Sequence, residues 1–168
     1  MSVSPEDIFS RLIKTFRLLH NKTLKGTVII MVKLTEQMKE DLKKVKVLPL
    51  ATCSRSGVPN VIPIGICELV EKDDDDYLLL MNNYFLKTMA NINENPKVAI
   101  FVWSPEVTAC FQMKGDVIEI ADSGKEYEDF IGRVKAVKPQ LPGKHMVVVR
   151  ITDVFNCKSG ETAGQKIL

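Results

Sequence analysis

The stretch Asn82-Asn83-Tyr84-Phe85-Leu86-Lys87-Thr88 carries the densest set of groups that could do chemistry. It lies where the apolar run Tyr77 to Met81 gives way to a short helical pattern, Lys87 to Asn95, that Pro96 ends. The first turn of a helix has N–H groups without intrahelical partners and the positive end of the dipole, so it attracts anions. Lys87 adds a cation and Thr88 a hydroxyl, and the three kinds of donor together describe a site for a phosphate monoester. A plainer reading is that Thr88 caps the helix and Lys87 is a solvated charge; local sequence alone favours it.

No other grouping competes. The two histidines, His20 and His145, neighbour neither a nucleophile nor a carboxylate pattern, so no catalytic triad is expected. Cys53, Cys67, Cys110 and Cys157 lie far apart without a Cys-x-x-Cys pair. This argues against a zinc site and against a disulfide scaffold, and for reduced thiols packed in strands of a cytoplasmic protein. The run Asp73 to Asp76 lacks the alternating ligands and the glycine of a calcium loop and is expected to be a solvated turn. Trp103 at a strand end and Arg55 on a turn are secondary candidates for contact with a ligand. An enzyme with this inventory takes its reactive centre from a cofactor, and no catalytic side chain is assigned.

The chain has 168 residues, 45% of them hydrophobic and 26% charged, which is the composition of an ordinary globular domain. Its net charge of +2 is too small for a nucleic-acid binder. No apolar run approaches the roughly 18 residues of a membrane span. The charge is uneven, because Arg11, Lys14, Arg17, Lys22 and Lys25 face only Glu6 and Asp7 within residues 1–30. There Ser4-Pro5-Glu6-Asp7 signals a helix start, and Ile8, Leu12, Phe16 and Leu19 recur at helical spacing. Residues 1–30 are therefore expected to be a helical extension, and residues 31–168, opening at Met31, the working domain.

Within that domain Thr35 is placed to cap a helix with Met38, Leu42 and Val45 inward and Lys39, Glu40, Lys43 and Lys44 solvated. A strand from Val47 to Cys53 leads into the turn Ser54-Arg55-Ser56-Gly57. One further strand is expected from Val58 to Val70, with Pro59, Pro63 and Gly65 marking an edge open to close approach. Strands follow at Tyr77 to Met81, Val98 to Trp103, Ala109 to Ile120 and Met146 to Asn156, with a helix from Gly124 to Lys138. The run Val147-Val148-Val149 implies burial on both faces. Six strands joined early by tight turns, with short helices at the connections, make a small antiparallel barrel rather than a doubly wound sheet. The glycine fingerprints of dinucleotide-binding and P-loop folds are absent.

Taken in order, Leu50-Ala51-Thr52-Cys53-Ser54-Arg55-Ser56-Gly57-Val58-Pro59-Asn60-Val61-Ile62-Pro63-Ile64-Gly65, the Lys87-Thr88 step and Asn91-x-x-x-Asn95-Pro96-Lys97-Val98-Ala99-Ile100 resemble the pyridoxamine 5′-phosphate oxidase-like FMN-binding split-barrel family. The resemblance spans Leu34 to Gly160. It implies a six-stranded split β-barrel, a homodimer and one FMN in each of two clefts at the subunit interface. Position by position, it implies that Lys87 and Thr88 hold the phosphate. It implies further that Ile62, Pro63 and Ile64 lie along the isoalloxazine ring and that Asn82 and Asn83 stand beside the ring and ribityl chain. The substrate-gripping arginine and tryptophan of the oxidases that act on pyridoxamine phosphate have no counterpart in Phe155 to Thr162, so that substrate is not expected. What remains is an FMN-dependent oxidoreductase of open substrate. The alternatives are a non-enzymatic electron carrier, a deazaflavin-dependent reductase, or a barrel that serves only as an interaction module.

Overall fold

A computed structural model of the protein describes residues 32–72 and 75–168. The expected N-terminal helical extension, residues 1–30, lies outside the described residues. Helix α1 (Glu36–Lys44) begins as its sequence dictates, with the Thr35 hydroxyl accepting from the Met38 N–H at 3.2 Å. Leu42 and Val45 are buried and Met38 packs against the same core. One charge on this helix departs from expectation. Lys39 is buried rather than solvated, its Nζ 2.6 Å from Glu71 and 3.2 Å from Glu36. The hydrogen bond to Glu71 holds the Lys39 ammonium above its usual pKa, and the same bond holds the Glu71 carboxyl below its own. Asp41 is fully buried, and its Oδ2 accepts from the Ala109 N–H and the Thr108 hydroxyl.

Strands β1 (Leu48–Cys53) and β2 (Pro59–Ile64) form the expected hairpin, with Gly57 at φ +88° in the turn. The single strand expected from Val58 to Val70 is instead two. The chain leaves β2 at Ile64, passes Gly65 and Ile66, and enters β3 (Cys67–Lys72) in a different pairing. Pro63 and Gly65 weaken the ladder just where the break falls. β4 (Asp75–Asn82), helix α2 (Lys87–Glu94), β5 (Lys97–Val102), β6 (Phe111–Ala121), helix α3 (Lys125–Val137) and β7 (His145–Asn156) follow.

The strands form one seven-stranded sheet, one more than expected, in the order β2-β1-β5-β6-β7-β4-β3 with every neighbour antiparallel. The two outermost strands are consecutive in the chain. Only Gly65 and Ile66 separate them, so their ends lie within about 11 Å of each other. A sheet tethered in this way has to curl round until its edges meet, yet β2 and β3 are not paired. The result is a barrel split between them. The core fills its inside with Leu50, Leu78, Leu80, Ile100, Val102, Phe111, Met113, Val147 and Val149. Val148 is buried as well, as the valine run requires of a strand covered on both faces; α3 sends Phe130 and Val134 inward.

Asp75 and Asp76 correct a further expectation. They are not in a solvated turn but at the buried start of β4, where Asp75 Oδ1 accepts from the Val32 N–H at 3.0 Å and Asp76 Oδ2 from the Leu34 N–H at 2.7 Å. The Asp76 N–H donates to the Val32 carbonyl, so the segment before α1 is stitched to β4.

Among the described residues β2 is an edge strand, and its outer edge has its own character. Pro49 and Pro63 stand opposite each other, so N–H···O bonds are exchanged by the flanking pairs, Leu48 with Ile64 and Leu50 with Ile62. By alternation the nitrogens of Pro59, Val61 and Pro63 point away from β1. Two are prolines, which leaves Val61 as the single N–H that β2 offers outward.

Glu126 in the first turn of α3 supplies a pH-dependent stability. Burial, with Glu119 adding to it, pushes its carboxyl up from 4.5 to about 7. The folded state thus holds this proton more tightly than the unfolded chain. The contribution is fully present below about pH 4.5 and is lost as pH rises through about 7. Glu126→Gln is expected to raise stability near neutral and alkaline pH by on the order of 1 kcal/mol, after discounting for solvent screening. Urea melts of both proteins should converge in acid and separate in alkali; parallel curves would contradict the assignment.

Candidate functional site

Helix α2 is held in place by a polar seam. Asn60 on β2 donates from Nδ2 to the Thr88 hydroxyl at 2.9 Å and to the Thr52 hydroxyl at 3.3 Å. Asn91 donates to the same Thr52 oxygen at 3.1 Å, and Asn95 to the Cys53 carbonyl at 3.2 Å. At the far end of the helix, the Arg55 backbone N–H donates to the Glu94 carboxylate and its Nη2 donates to the Glu94 carbonyl, a cation placed at a helix C-terminus. Asn91 and Asn95, four residues apart on one helix face, were legible as a pair; Asn60 and Thr52 carried no signal of their own.

This arrangement leaves the start of α2 open. Leu86 occupies the N-cap position and has no side-chain cap, and the first intrahelical bond runs from the Ala90 N–H to the Leu86 carbonyl. The N–H groups of Lys87, Thr88 and Met89 therefore precede the hydrogen-bonded ladder. Lys87 is exposed. Thr88 is not the cap; it lies inside the helix, 1% exposed, with its hydroxyl turned to Asn60. No carboxylate occurs between Asn82 and Ala90. The donor set is three N–H groups and an ammonium, which is the chemistry of an anion site.

Asn82 and Asn83 lie at the end of β4 and are committed to the frame. Asn82 is buried, its Oδ1 accepting from the Phe85 N–H at 2.8 Å and its Nδ2 within 2.9 Å of His145 Nδ1. Asn83 Oδ1 accepts from the Gly143 N–H at 3.0 Å, and the Gly143 carbonyl accepts from the Tyr127 hydroxyl at 2.6 Å. Together they lock the turn that feeds α2 against the loop before β7.

The three β2 residues divide between two faces. Ile64 is buried and Ile62 packs partly on the core, while Pro63 lies with Pro59 and Val61 on the exposed face. Ile64 also lines a cavity of about 370 Å³ rimmed by Lys43, Lys46 and Lys138, on the core side of the strand. The Asn60–Thr88 bond brings the start of α2 to the beginning of β2, and the exposed Val61 and Leu86 lie within two residues of it along the chain. Trp103 is half exposed at the end of β5, and Arg55 is turned to the C-terminal end of α2, away from its open N-terminus. The structure thus ties the start of α2 to β2 on the face that Asn60 shares with Ile62 and Ile64, while Pro59, Val61 and Pro63 form the exposed apolar face of the same strand. Among the described residues no acid–base pair is found there.

Residues 34–158 match the family model described as pyridoxamine 5′-phosphate oxidase. The chain belongs to the pyridoxamine 5′-phosphate oxidase family. A curated relative, an uncharacterised protein of Methanocaldococcus jannaschii, is 34% identical over 143 residues, which cover 81% of this chain and 89% of that one. Among solved structures, HupZ of Group A Streptococcus superposes with a TM-score of 0.63 at 24% identity, covering 79% of this chain and all of the other. An FMN-binding protein from Syntrophomonas wolfei also gives 0.63, at 16% identity, over 92% of this chain and 99% of the other. An F420 reductase gives 0.55 at 20% identity, over 72% and 98%. At these identities the solved structures establish the split-barrel fold of the pyridoxamine 5′-phosphate oxidase family and leave the ligand to be argued from the site.

Proposed function

We propose that this protein binds FMN at the start of α2 and along the outer side of β2, and acts as an FMN-dependent oxidoreductase in a homodimer. The observation that carries this reading is the uncapped α2 N-terminus with Lys87 exposed on it, anchored to β2 through Thr88 and Asn60. A phosphate dianion there would accept from the N–H groups of Lys87, Thr88 and Met89 and from the Lys87 ammonium. The Thr88 hydroxyl acts indirectly, by fixing the helix start against the strand. Ile62, Pro63 and Ile64 provide the backbone along which a flat ring can lie, and Val61 its one outward N–H. Asn82 and Asn83 hold the turn between them rigid. When bound, the flavin supplies hydride transfer at N5; the chain supplies binding and orientation. Exposed apolar side chains on one copy, Leu86 at 83%, Tyr84 at 73% and Val61 at 63%, support a second copy closing over the site. Four free thiols are compatible with a cytoplasmic setting.

The test is a titration of the purified chain with FMN, followed by flavin fluorescence, alongside Lys87→Ala. Loss of one charge-assisted contact of about 1.5–3 kcal/mol predicts affinity lower by roughly 10- to 150-fold, with a difference that shrinks as salt is added. Equal affinity for both proteins would remove the proposed phosphate site. A chain that takes up a deazaflavin and not FMN would move the reading to the second cofactor. Reduction of the bound flavin by NADH or NADPH then separates an oxidoreductase from an electron carrier.

A further inference from the structure

Strands β6 and β7 end with Phe111 opposite Asn156, so the next residues outward, Cys110 and Cys157, face each other. The Cys157 N–H donates to the Cys110 carbonyl at 2.8 Å, which continues the ladder by one pair. Directly opposed residues of a hydrogen-bonded antiparallel pair have Cα atoms about 5.5 Å apart and side chains on the same face of the sheet. That separation falls inside the range of about 4.4–6.8 Å that a disulfide spans. Both cysteines are half-buried and both are free thiols. We propose that Cys110 and Cys157 form a dithiol that closes reversibly to a cross-strand disulfide under a peroxide oxidant.

The proximity has an electrostatic trace, since Cys157 adds to burial in holding the Cys110 thiol above its usual pKa. The other cysteines are differently placed. Burial pushes the Cys67 thiol to about 12, which keeps it unreactive, and Cys53 sits at the end of β1 beside the α2 seam. The chemistry balances with one hydrogen peroxide. One thiolate attacks a peroxide oxygen, the O–O bond breaks, and a sulfenic acid and water form. The second sulfur attacks the sulfenic sulfur, its proton leaves with the hydroxyl as a second water, and the S–S bond is made. Sulfur is oxidised and peroxide reduced, two electrons each.

The bond would add a covalent link between two segments that the Cys157–Cys110 hydrogen bond already brings together. Cys110 ends the loop that Asp41 holds through Thr108 and Ala109. Cys157 opens the C-terminal segment, which folds back on β7 through the Gly164 N–H to the Asn156 carbonyl and the Ile167 N–H to the Val154 carbonyl. Closing the disulfide anchors the root of that segment to the loop.

The test treats the reduced full-length chain with hydrogen peroxide, blocks remaining thiols by alkylation and maps the peptides without reduction. The expected result is a peptide linked through Cys110 and Cys157, two of four thiols lost, and recovery of both with dithiothreitol. Cys53→Ser should retain the linked peptide and Cys110→Ser should abolish it. Hydrogen exchange in residues 164–168 is expected to slow in the oxidised protein. Four alkylated thiols, separate sulfinic acids at Cys110 and Cys157, or a link between two chains would each overturn the proposal.

Discussion

Gly115→Val is expected to destabilise the fold by about 3 kcal/mol or more, the upper part of what overpacking costs, and to lower Tm by roughly 6–12 °C. Gly115 lies on β6 beside a bulge, pressed against β7. A Cβ at this position would stand 2.5 Å from Val149 Cγ1 and 2.7 Å from the Arg150 carbonyl oxygen. The first neighbour is a side-chain methyl; the second is backbone in the pair of strands at the centre of the sheet and cannot yield without breaking the ladder. Gly132 in the middle of α3 is the control, because a Cβ there meets nothing within 4 Å. Gly132→Ala should stabilise by about 0.5–1 kcal/mol through helix propensity alone. Calorimetry on the two variants should move Tm in opposite directions. A Gly115→Val protein that melts with the parent would mean that β6 and β7 do not pair in this register.

Asp76→Ala is expected to cost about 2–3 kcal/mol, because it strands the Leu34 N–H in the interior without an acceptor. Asp76 is fully buried and its bond to Leu34 is 2.7 Å, so water cannot take over the role. Asp76→Asn should cost much less, since an amide oxygen still accepts and no charge is buried. Burial raises the Asp76 pKa, so its contribution grows as pH falls from neutral through that raised value and is smallest in alkali. The alanine variant should therefore lose more at mildly acidic pH than at alkaline pH. Urea denaturation gives the cost, and fast hydrogen exchange at Leu34 confined to the alanine variant locates it. Unchanged exchange there would show that Asp76 does not hold this segment.

Local chemistry was legible wherever it decides structure within a few residues. The Thr35 cap, the turn at Gly57, the end of α2 before Pro96 and the doubly buried valines of β7 all follow from residue type and spacing. What could not be read was governed by partners distant in sequence. Lys39 is buried because Glu71, 32 residues away, neutralises it, and Asp41 because Ala109, 68 residues away, donates to it. The break at Gly65 depends on β3 finding β4 at the opposite end of the sheet, which no local pattern encodes. At the candidate site, the helix start and Lys87 were visible. The true partner of Thr88 was not, because Asn60 lies 28 residues earlier and reads as an ordinary strand residue.

The two prolines of β2, Pro59 and Pro63, bear on how this chain behaves when it is crowded. A free strand edge is a template for fibril growth, in which each incoming strand needs a regular row of donors and acceptors. The outward row of β2 has nitrogens from Pro59, Val61 and Pro63 and thus a single hydrogen to offer. A foreign strand laid there would have to give up most of its ladder bonds. Side chains can meet at this edge without the backbones being zipped together, so the two proline rings of β2 guard it against misassembly.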